Sequence, residues 1–461
     1  MCEEYQFSLL FIESHIKTSL LLYIYTIICH FSFVLWFIMS GIKVSVDRIQ
    51  VGNYVKLPLG WCDHPFMFNN FKIDTQEKLL LIRQLGIAHV TVYPQRSDSG
   101  LLPPQQLNAE PQAESSDMLD IEHIRRELWE DKQEKIEKLK SHRRKIIKTE
   151  KNFQSAMIQV RSVMGKLSSR PLNAIDEAEQ LIGDMVDSLL KEEHIVLHLM
   201  SETKENENIY YHSLNVSVLA MLVAKMKNLD ADSIKIIGMG ALFHDMGKLK
   251  VPPQILRKKT ELTTAEQNFL KLHPKYGLDL VNLVNTFPEA AKAIIAQHHE
   301  LLDGSGYPKG LKGADIDPFT QLVSVVNKYD TLCHPNDIRK ARVPSNALSW
   351  LYKNSAKKYN QSDLKLLVKV LGIYPPGSVV RLSNEQIGMV LSVNSERLLY
   401  PNILIYDAEV PRAEAPIIDL EERELSITGV IKPDKLPEHI YEYLNPRSRI
   451  NYYFENTQNN N

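Results

Sequence analysis

The sequence predicts a mainly α protein: a helical bundle, with a small α+β module before it and a small β-rich module after it. Three observations carry this. Between about Leu172 and Gly372, apolar residues recur at helical spacing in one segment after another. Short apolar runs alternate with polar residues in 43–95, and again beyond Tyr374-Pro375-Pro376-Gly377. A chain of 461 residues with 44% hydrophobic content has room for about two to four domains and a sizeable core.

From Thr18 to Ile42 there is no Asp, Glu, Lys or Arg, and SLLLYIYTIICHFSFVLWFIM is long enough to cross a bilayer, which takes roughly 20 apolar residues. The run lacks the basic start and small-residue cleavage site of a signal peptide. Lys43 and Arg48 follow it, whereas Glu3, Glu4, Glu13 and a single Lys17 precede it, a bias that places the remainder in the cytoplasm. Residues 1–42 therefore have two readings. They are an inner-membrane anchor, or they are a start-site artefact on a soluble cytoplasmic protein, since Met39 opens MSGIKVSV just ahead of the next module.

Residues 43–95 join strand-like VSVDRIQVGNYVKL and HVTVY to one amphipathic stretch, TQEKLLLIRQLG, and predict a small α+β regulatory module. From Arg96 to Asp117 the chain is rich in Pro, Gln, Ser and Glu. LLPPQQLNAEPQAESS buries little apolar surface, so 96–120 is expected to be a flexible linker. A long helix is expected over 121–171, where no Pro occurs before Pro171 and Glu134 pairs with Lys138 at helical spacing. Leu139, Ile146, Phe153, Val160 and Leu167 recur every seven residues as one coiled-coil seam. The companion seam, Ile136 and Met157, is interrupted by Arg143 and Glu150. Two roles fit this pattern: a homodimer contact through 121–167, or a single helix laid along its own domain.

Residues 172–372 read as helix after helix, in NVSVLAMLVAKM, IKIIGMGALF, LDLVNLVNTF, AAKAIIA, TQLVSVVNKY and DLKLLVKVLG, with few strand signals. Residues 373–461 change to SVVRLS, IGMVLSV, NILIY and ELSITGV and predict a small β-rich module, read as a structural cap. A formal charge of -2 gives no basic field for a nucleic-acid polymer, so an anionic substrate must be held by local cations or metal. Cys2, Cys29, Cys62 and Cys333 lie far apart with no CxxC pair, which suits a reducing compartment.

Chemistry concentrates in the bundle. His212, the pair His244-Asp245, His273, the pair His298-His299, and then Asn327 and Asp330 follow in order. Their N and O atoms suit first-row divalent metals, and facing helices of a bundle can project such groups into one pocket. One histidine on an apolar face is usually a hydrogen-bonded core residue. So many protic side chains, from separate turns and helix ends, are poorly explained that way. GALFHDMGK sets His244 and Asp245 at the end of an apolar helix, where burial without metal or hydrogen-bond partners would be costly. DGSGYP is by itself only a tight turn.

The segments HSLNVSVLAMLVAK, GALFHDMGKLKVPPQIL, HPKYG and AQHHELLDGSGYPKGLKG resemble, in order, the motifs of HD-GYP domains. Those are bacterial members of the HD phosphohydrolase superfamily that hydrolyse cyclic di-GMP. The resemblance covers roughly residues 172–372, and HDxGK followed by HP, HH and GYP is a specific signature. VSVDRIQVGNYVKLPLGWCDHPFMFNNFKI resembles a domain of unknown function often found ahead of HD-GYP domains. The resemblance implies an HD-type helical bundle with two divalent metal ions, Fe, Mn or similar. His212, His244 and Asp245 are then ligands of one metal, and Asp245 bridges to a second held by His273, His298 and His299. Two such cations clamp a phosphodiester and turn a shared water into hydroxide near neutral pH. Lys248, one helical turn after Asp245, is placed to neutralise the phosphate, so Asp245 and Lys248 are the implied catalytic pair. Gly306, Tyr307 and Pro308, with Gly304, form a loop that the family implies against cyclic di-GMP or a protein partner. Arg339, in NDIRKARVP, falls where the family has a phosphate-facing Arg.

Two positions depart from the family. Its last ligand is an Asp, but VVNKYDTL has Asn327 there, whose carbonyl oxygen ligates without charge and should lower metal affinity. Asp330, which matches the second Asp, either compensates or holds a ligand histidine from behind. Members with three metals carry a Glu four residues before the first His; here Asn208 stands there, which favours two metals and a linear pGpG product over GMP. A cyclic di-GMP phosphodiesterase is the function expected. The alternatives are a weakly active or inactive HD-GYP module, serving as nucleotide receptor or protein-interaction domain, and an HD hydrolase of another nucleotide.

Overall fold

Val216, Val218, Leu219, Ala220, Met221, Leu222, Val223 and Ala224 are all fully buried, so the helix carrying them is apolar all round and must lie inside a bundle. The computed structural model describes residues 41–461 apart from 61–62, 67, 105–114, 193–195, 201–207, 259, 336, 409, 411, 413–414, 422–424, 447–450 and 455–461. All but the last two residues of the apolar run expected at 18–42 lie outside the described residues, as do the side chains of Lys138, Leu139 and Asn208. Among the described residues no helix is long and apolar enough to cross a membrane. The chain divides into two compact units, Met1–Lys138 and Leu139–Asn461.

In the first unit, β1 (Ile42–Ser45), β2 (Tyr54–Lys56), β3 (Asn70–Lys72) and β4 (His89–Val92) form an antiparallel sheet in the order β1-β4-β2-β3. Helix α1 (Gln76–Gln84) starts where Thr75 accepts a hydrogen bond from the Lys78 N–H. Strand alternation turns Val44, Val55, Val90 and Val92 into a core shared with Leu79, Leu81 and Ile82. The chain beyond β4 stays attached longer than its composition suggests. Asn53 Nδ2 donates to the Ser99 carbonyl at 2.8 Å, Gln50 Nε2 to Gly100 at 2.9 Å and Arg48 Nε to Leu102 at 2.9 Å. Residues 99–102 are thus part of the module rather than of the linker expected over 96–120.

Helix α2 (Ser115–Lys166) runs through the boundary between the units. Phe153 and Val160 of its heptad seam, and Leu167 just past its end, are buried within this chain, and Phe153 stacks on Tyr211 with ring centroids 6.1 Å apart. Of the two roles expected for 121–167, a homodimer contact and a helix laid along its own domain, these seam side chains fit the second, since they belong to the chain's own core.

The second unit continues with α3 (Pro171–Lys191), α4 (Asn208–Met226), α5 (Ala231–Phe243), α6 (Pro253–Leu256), α7 (Thr264–Leu270), α8 (His273–Val281), α9 (Glu289–Gln297), α10 (Pro318–Cys333), α11 (Pro344–Asn354) and α12 (Gln361–Leu371). The buried α4 packs against α5, α10 and α12, while α9 bridges α5 and α8. The fold class is therefore the mainly α one that the periodicity predicts, with a helical bundle preceded in the chain by one small sheet-bearing part and followed by another.

The second sheet holds β5 (Val196–Met200), β6 (Val379–Leu382), β7 (Ile387–Asn394), β8 (Asn402–Ile405), β9 (Ile417–Asp419), β10 (Ile427–Ile431) and β11 (Asn451–Phe454), with α13 (Glu438–Leu444) before the last strand. It is antiparallel in the order β10-β6-β7-β5-β11, and β8 pairs with β7 and β9. Strand β5 comes from the region read as entirely helical. Both its neighbours come from the C-terminal part: Leu197 stands opposite Val393, and Leu199 opposite Tyr452. The short VLHLM run has no clean alternation, because both of its faces are largely buried.

Candidate metal centre

Four helix ends and one helix body bring the histidine and aspartate series together. His212 lies in α4, His244 caps the C-terminus of α5, and Asp245 opens the 3₁₀ turn Met246–Lys250. His273 begins α8; His298 caps α9, and His299 follows it. Gly247 makes the approach possible. A Cβ there would fall 1.9 Å from the His273 carbonyl oxygen and 2.5 Å from the Gly277 nitrogen, so only glycine lets this turn lie on the start of α8.

The ring protons are fixed by the backbone. His244 Nδ1 donates to the Ala241 carbonyl at 2.6 Å, His273 Nδ1 to Leu270 at 2.7 Å and His298 Nδ1 to Ile295 at 2.9 Å. A carbonyl only accepts, so each neutral ring leaves a bare lone pair on Nε2. His212 Nδ1 donates instead to Asp330 Oδ2 at 2.5 Å. The four Nε2 atoms face Asp245 in pairs. Its Oδ2 is 3.3 Å from His212 and 3.6 Å from His244; its Oδ1 is 3.3 Å from His273 and 3.7 Å from His298. Within each pair the two Nε2 atoms are 3.1 Å apart. Acceptors crowded around a carboxylate repel one another, and Asp245 Oδ1 is buried with no hydrogen-bond partner. A cation relieves both problems. The donors form two groups, His212-His244-Asp245 and Asp245-His273-His298-His299, with ligand atoms in each within 4.8 Å of one another. This N/O set fits first-row divalent metals.

Electrostatics agree with that use. Burial holds His244, His298 and His299 below the ordinary imidazole range, and so keeps them neutral and able to ligate. Burial also works to lower His212, but the Asp330 and Asp245 carboxylates outweigh it and raise the ring. Asp245 stays well below the carboxylate range despite its burial, because of Lys248, whose Nζ is 2.5 Å from Oδ2, and His244. Asp330 behaves likewise despite burial, held down by His334 and His212.

Asp330 stands behind His212, and its Oδ1 also meets Asn215 Nδ2 and His334 Nδ1. At Asn327, Thr331 Oγ1 donates to the backbone carbonyl at 2.8 Å and lies 3.3 Å from Oδ1. Asn215 and His334 escape a sequence reading, although both lie one helical turn from a singled-out residue, His212 and Asp330.

The Gly-Tyr-Pro loop folds back onto the histidine pair. Tyr307 stacks on His299 with centroids 4.5 Å apart and planes at 19°, and Lys271 Nζ lies 5.6 Å from the centre of the Tyr307 ring. A Cβ on Gly306 would fall 2.4 Å from the Leu301 nitrogen and 2.5 Å from Glu300 Cα. Buried Glu300 ties the far side by accepting from the Lys309 and Leu311 N–H groups at 2.6 and 2.9 Å. Pro308, joined to Tyr307 by a cis peptide, is exposed. Arg339 is not brought into the cluster. Its side chain is 80% exposed and forks onto Asp337 at 2.9 and 3.0 Å.

Residues 41–178 match the model of a domain of unknown function, DUF3391, and residues 189–362 match that of an HD domain. Over 388 residues the chain is 24% identical to the cyclic di-GMP phosphodiesterase PA4108 of Pseudomonas aeruginosa, covering 82% of this chain and 88% of that protein. It is 34% identical over 155 residues to the cyclic di-GMP phosphodiesterase response regulator RpfG of Xanthomonas campestris, covering 33% of this chain and 41% of that one. It is 32% identical over 165 residues to the 3'3'-cGAMP-specific phosphodiesterase 3 of Vibrio cholerae, covering 36% and 35%.

Proposed function

We propose, on the premise that this chain belongs to the HD-GYP family of HD-domain, metal-dependent phosphohydrolases, that it hydrolyses cyclic di-GMP to linear pGpG with two divalent cations, Fe, Mn or similar. One observation carries the reading: each oxygen of Asp245 faces its own pair of histidine lone pairs, at 3.3 and 3.6 Å on one side and 3.3 and 3.7 Å on the other. His299 completes the second group and Asp330 holds His212 for the first. When bound, such cations supply a hydroxide nucleophile at neutral pH and neutralise the phosphoryl oxygens.

The chain's own groups do the rest. The Lys248 side chain, 27% exposed and with its Nζ beside Asp245, offers a positive charge to the phosphodiester. The Tyr307 face, backed by His299 and flanked by Lys271, offers a guanine base a stacking platform. The oxygen of water bonds to phosphorus, the P–O3′ bond breaks and a proton ends on O3′, leaving a 5′-phosphate. Asn327 favours the second reading, a metal-holding receptor with little turnover, because it brings no charge where the family has a carboxylate.

Metal analysis of the purified full chain for Fe, Mn and Zn, followed by incubation with cyclic di-GMP and separation of products, tests this. Metal near two per chain, pGpG as product, and loss of both in His244→Ala/Asp245→Ala are expected. Metal-loaded protein that leaves cyclic di-GMP intact would make it a receptor; preferred turnover of 3'3'-cGAMP would move the substrate assignment; hydrolysis surviving the double substitution would mean the chemistry lies elsewhere.

A further inference from the structure

We propose that Asn215 is a positioning residue that ties the metal-binding His212 to strand β11, so that the C-terminal sheet is part of the support of the metal site and not only a cap. The proposal rests on the metal-site reading above.

Asn215 follows His212 by three residues and so shares its face of α4. Its amide is used at both ends. Oδ1 accepts the backbone N–H of Tyr452, in β11, at 2.9 Å, and Nδ2 donates to Asp330 Oδ1. A backbone N–H can only donate, which settles how the amide is turned: oxygen toward the strand, NH2 toward the carboxylate. Turned the other way, N–H would meet NH2 and carboxylate would meet carbonyl, both at buried atoms. With the amide so fixed, and His334 Nδ1 at 3.1 Å, Asp330 keeps Oδ2 for the His212 Nδ1–H at 2.5 Å. That proton on Nδ1 is what leaves the His212 Nε2 lone pair aimed at Asp245.

Strand β11 has a second hold on the same machinery. The Tyr452 hydroxyl lies 2.8 Å from that of Tyr329, the residue before Asp330 on α10. One strand thereby fixes both helices that carry the His212–Asp330 pair. The other backbone-held rings have no such dependence, neither His244 in the His212 group nor His273 and His298 in the second. His244, His273 and His298 give their Nδ1 protons to carbonyls three residues earlier in the chain, and so are oriented locally. This asymmetry is the point at which the proposal can fail.

The test uses the full chain, stripped of metal and titrated with Mn2+ alone, as wild type, Asn215→Ala and the near-isosteric Asn215→Asp, which keeps the volume if the smaller side chain disturbs folding. One of the two sites should weaken by about 10- to 100-fold, the usual effect of losing a support behind a ligand, and the other by clearly less, since the two share only Asp245. In 15N-histidine spectra of the metal-free protein recorded at alkaline pH, where the rings are neutral, His212 should lose its purely Nδ1-protonated form while His273 and His298 keep theirs. Equal weakening of both sites, or unchanged affinities with an unchanged His212 tautomer, overturns the proposal. Neither measurement needs turnover, so a chain inactive on cyclic di-GMP sinks only the substrate reading. A wild-type chain that binds no Mn2+ sinks both.

Discussion

Four histidines of the cluster, His212, His244, His298 and His299, are each a small acid–base balance decided by their surroundings. Burial depresses His244, His298 and His299 below their usual value of 6.5. As pH falls below 6.5, the unfolded chain takes up protons that the folded one refuses, so their contribution to stability is present above 6.5 and is lost on acidification. His212 has the opposite sign. Its raised value makes a contribution that is present below 6.5 and lost as pH rises through its folded value. Three groups oppose one, so the chelated protein should lose stability between neutral pH and mild acid, as read from urea midpoints; a midpoint that rose on acidification would contradict this balance. The His244-Asp245 pair was legible in the sequence because two adjacent polar residues close an apolar helix. Asn215 was not, because its partners lie 115 and 237 residues away and no local pattern announces them.

Among elements, the Gly-Tyr-Pro loop is held by close approach rather than by apolar burial. Gly306→Ala puts a methyl within 2.6 Å of Leu301, Glu300 and His299 backbone atoms. The loop must lift, at a cost of about 1–3 kcal/mol, and Tyr307 must leave the face of His299. A lowered denaturation midpoint, together with a raised KM for the dinucleotide, is the expected result; a variant with both unchanged would show that the loop tolerates a side chain. Helix α2 and strand β5 mark the limits of periodicity. A seven-residue repeat reports that one face of α2 is apolar, but not which chain covers it, and Phe153 and Val160 are covered by their own. VLHLM lacks alternation because it sits between β7 and β11, and a short buried run looks alike in a strand and in a helix.

At the scale of the molecule, metal should act as a structural ligand for the unit Leu139–Asn461. A cation present at a hundred times its Kd stabilises the folded state by about 2.7 kcal/mol for each site. Chelation should therefore lower the melting temperature of the full chain, and Mn2+ should restore it; equal melting with and without metal would mean that the donors are not used. The bundle and its ligand order could be read from sequence because helical spacing and motif spacing are local. The joining of the C-terminal sheet to the bundle could not, since it depends on β5 pairing with strands that begin at Ile387 and Asn451, far along the chain from Val196.

Asp245 offers one oxygen to each half of the centre, and under the proposed two-cation reading a single carboxylate cannot serve both ions independently. Whatever the first ion does to the affinity for the second, the second must do equally to the first, because the coupling free energy is reciprocal. Occupancy will then not follow two separate hyperbolas. If the shared oxygen pair is drawn into position by the first arrival, both sites fill over a narrower range of free metal than either would alone. If charge repulsion dominates, a half-filled species persists across a wide range. In either case the dose–response to metal is a property of one residue, and the supply of metal in the cell becomes an input to the enzyme alongside its substrate.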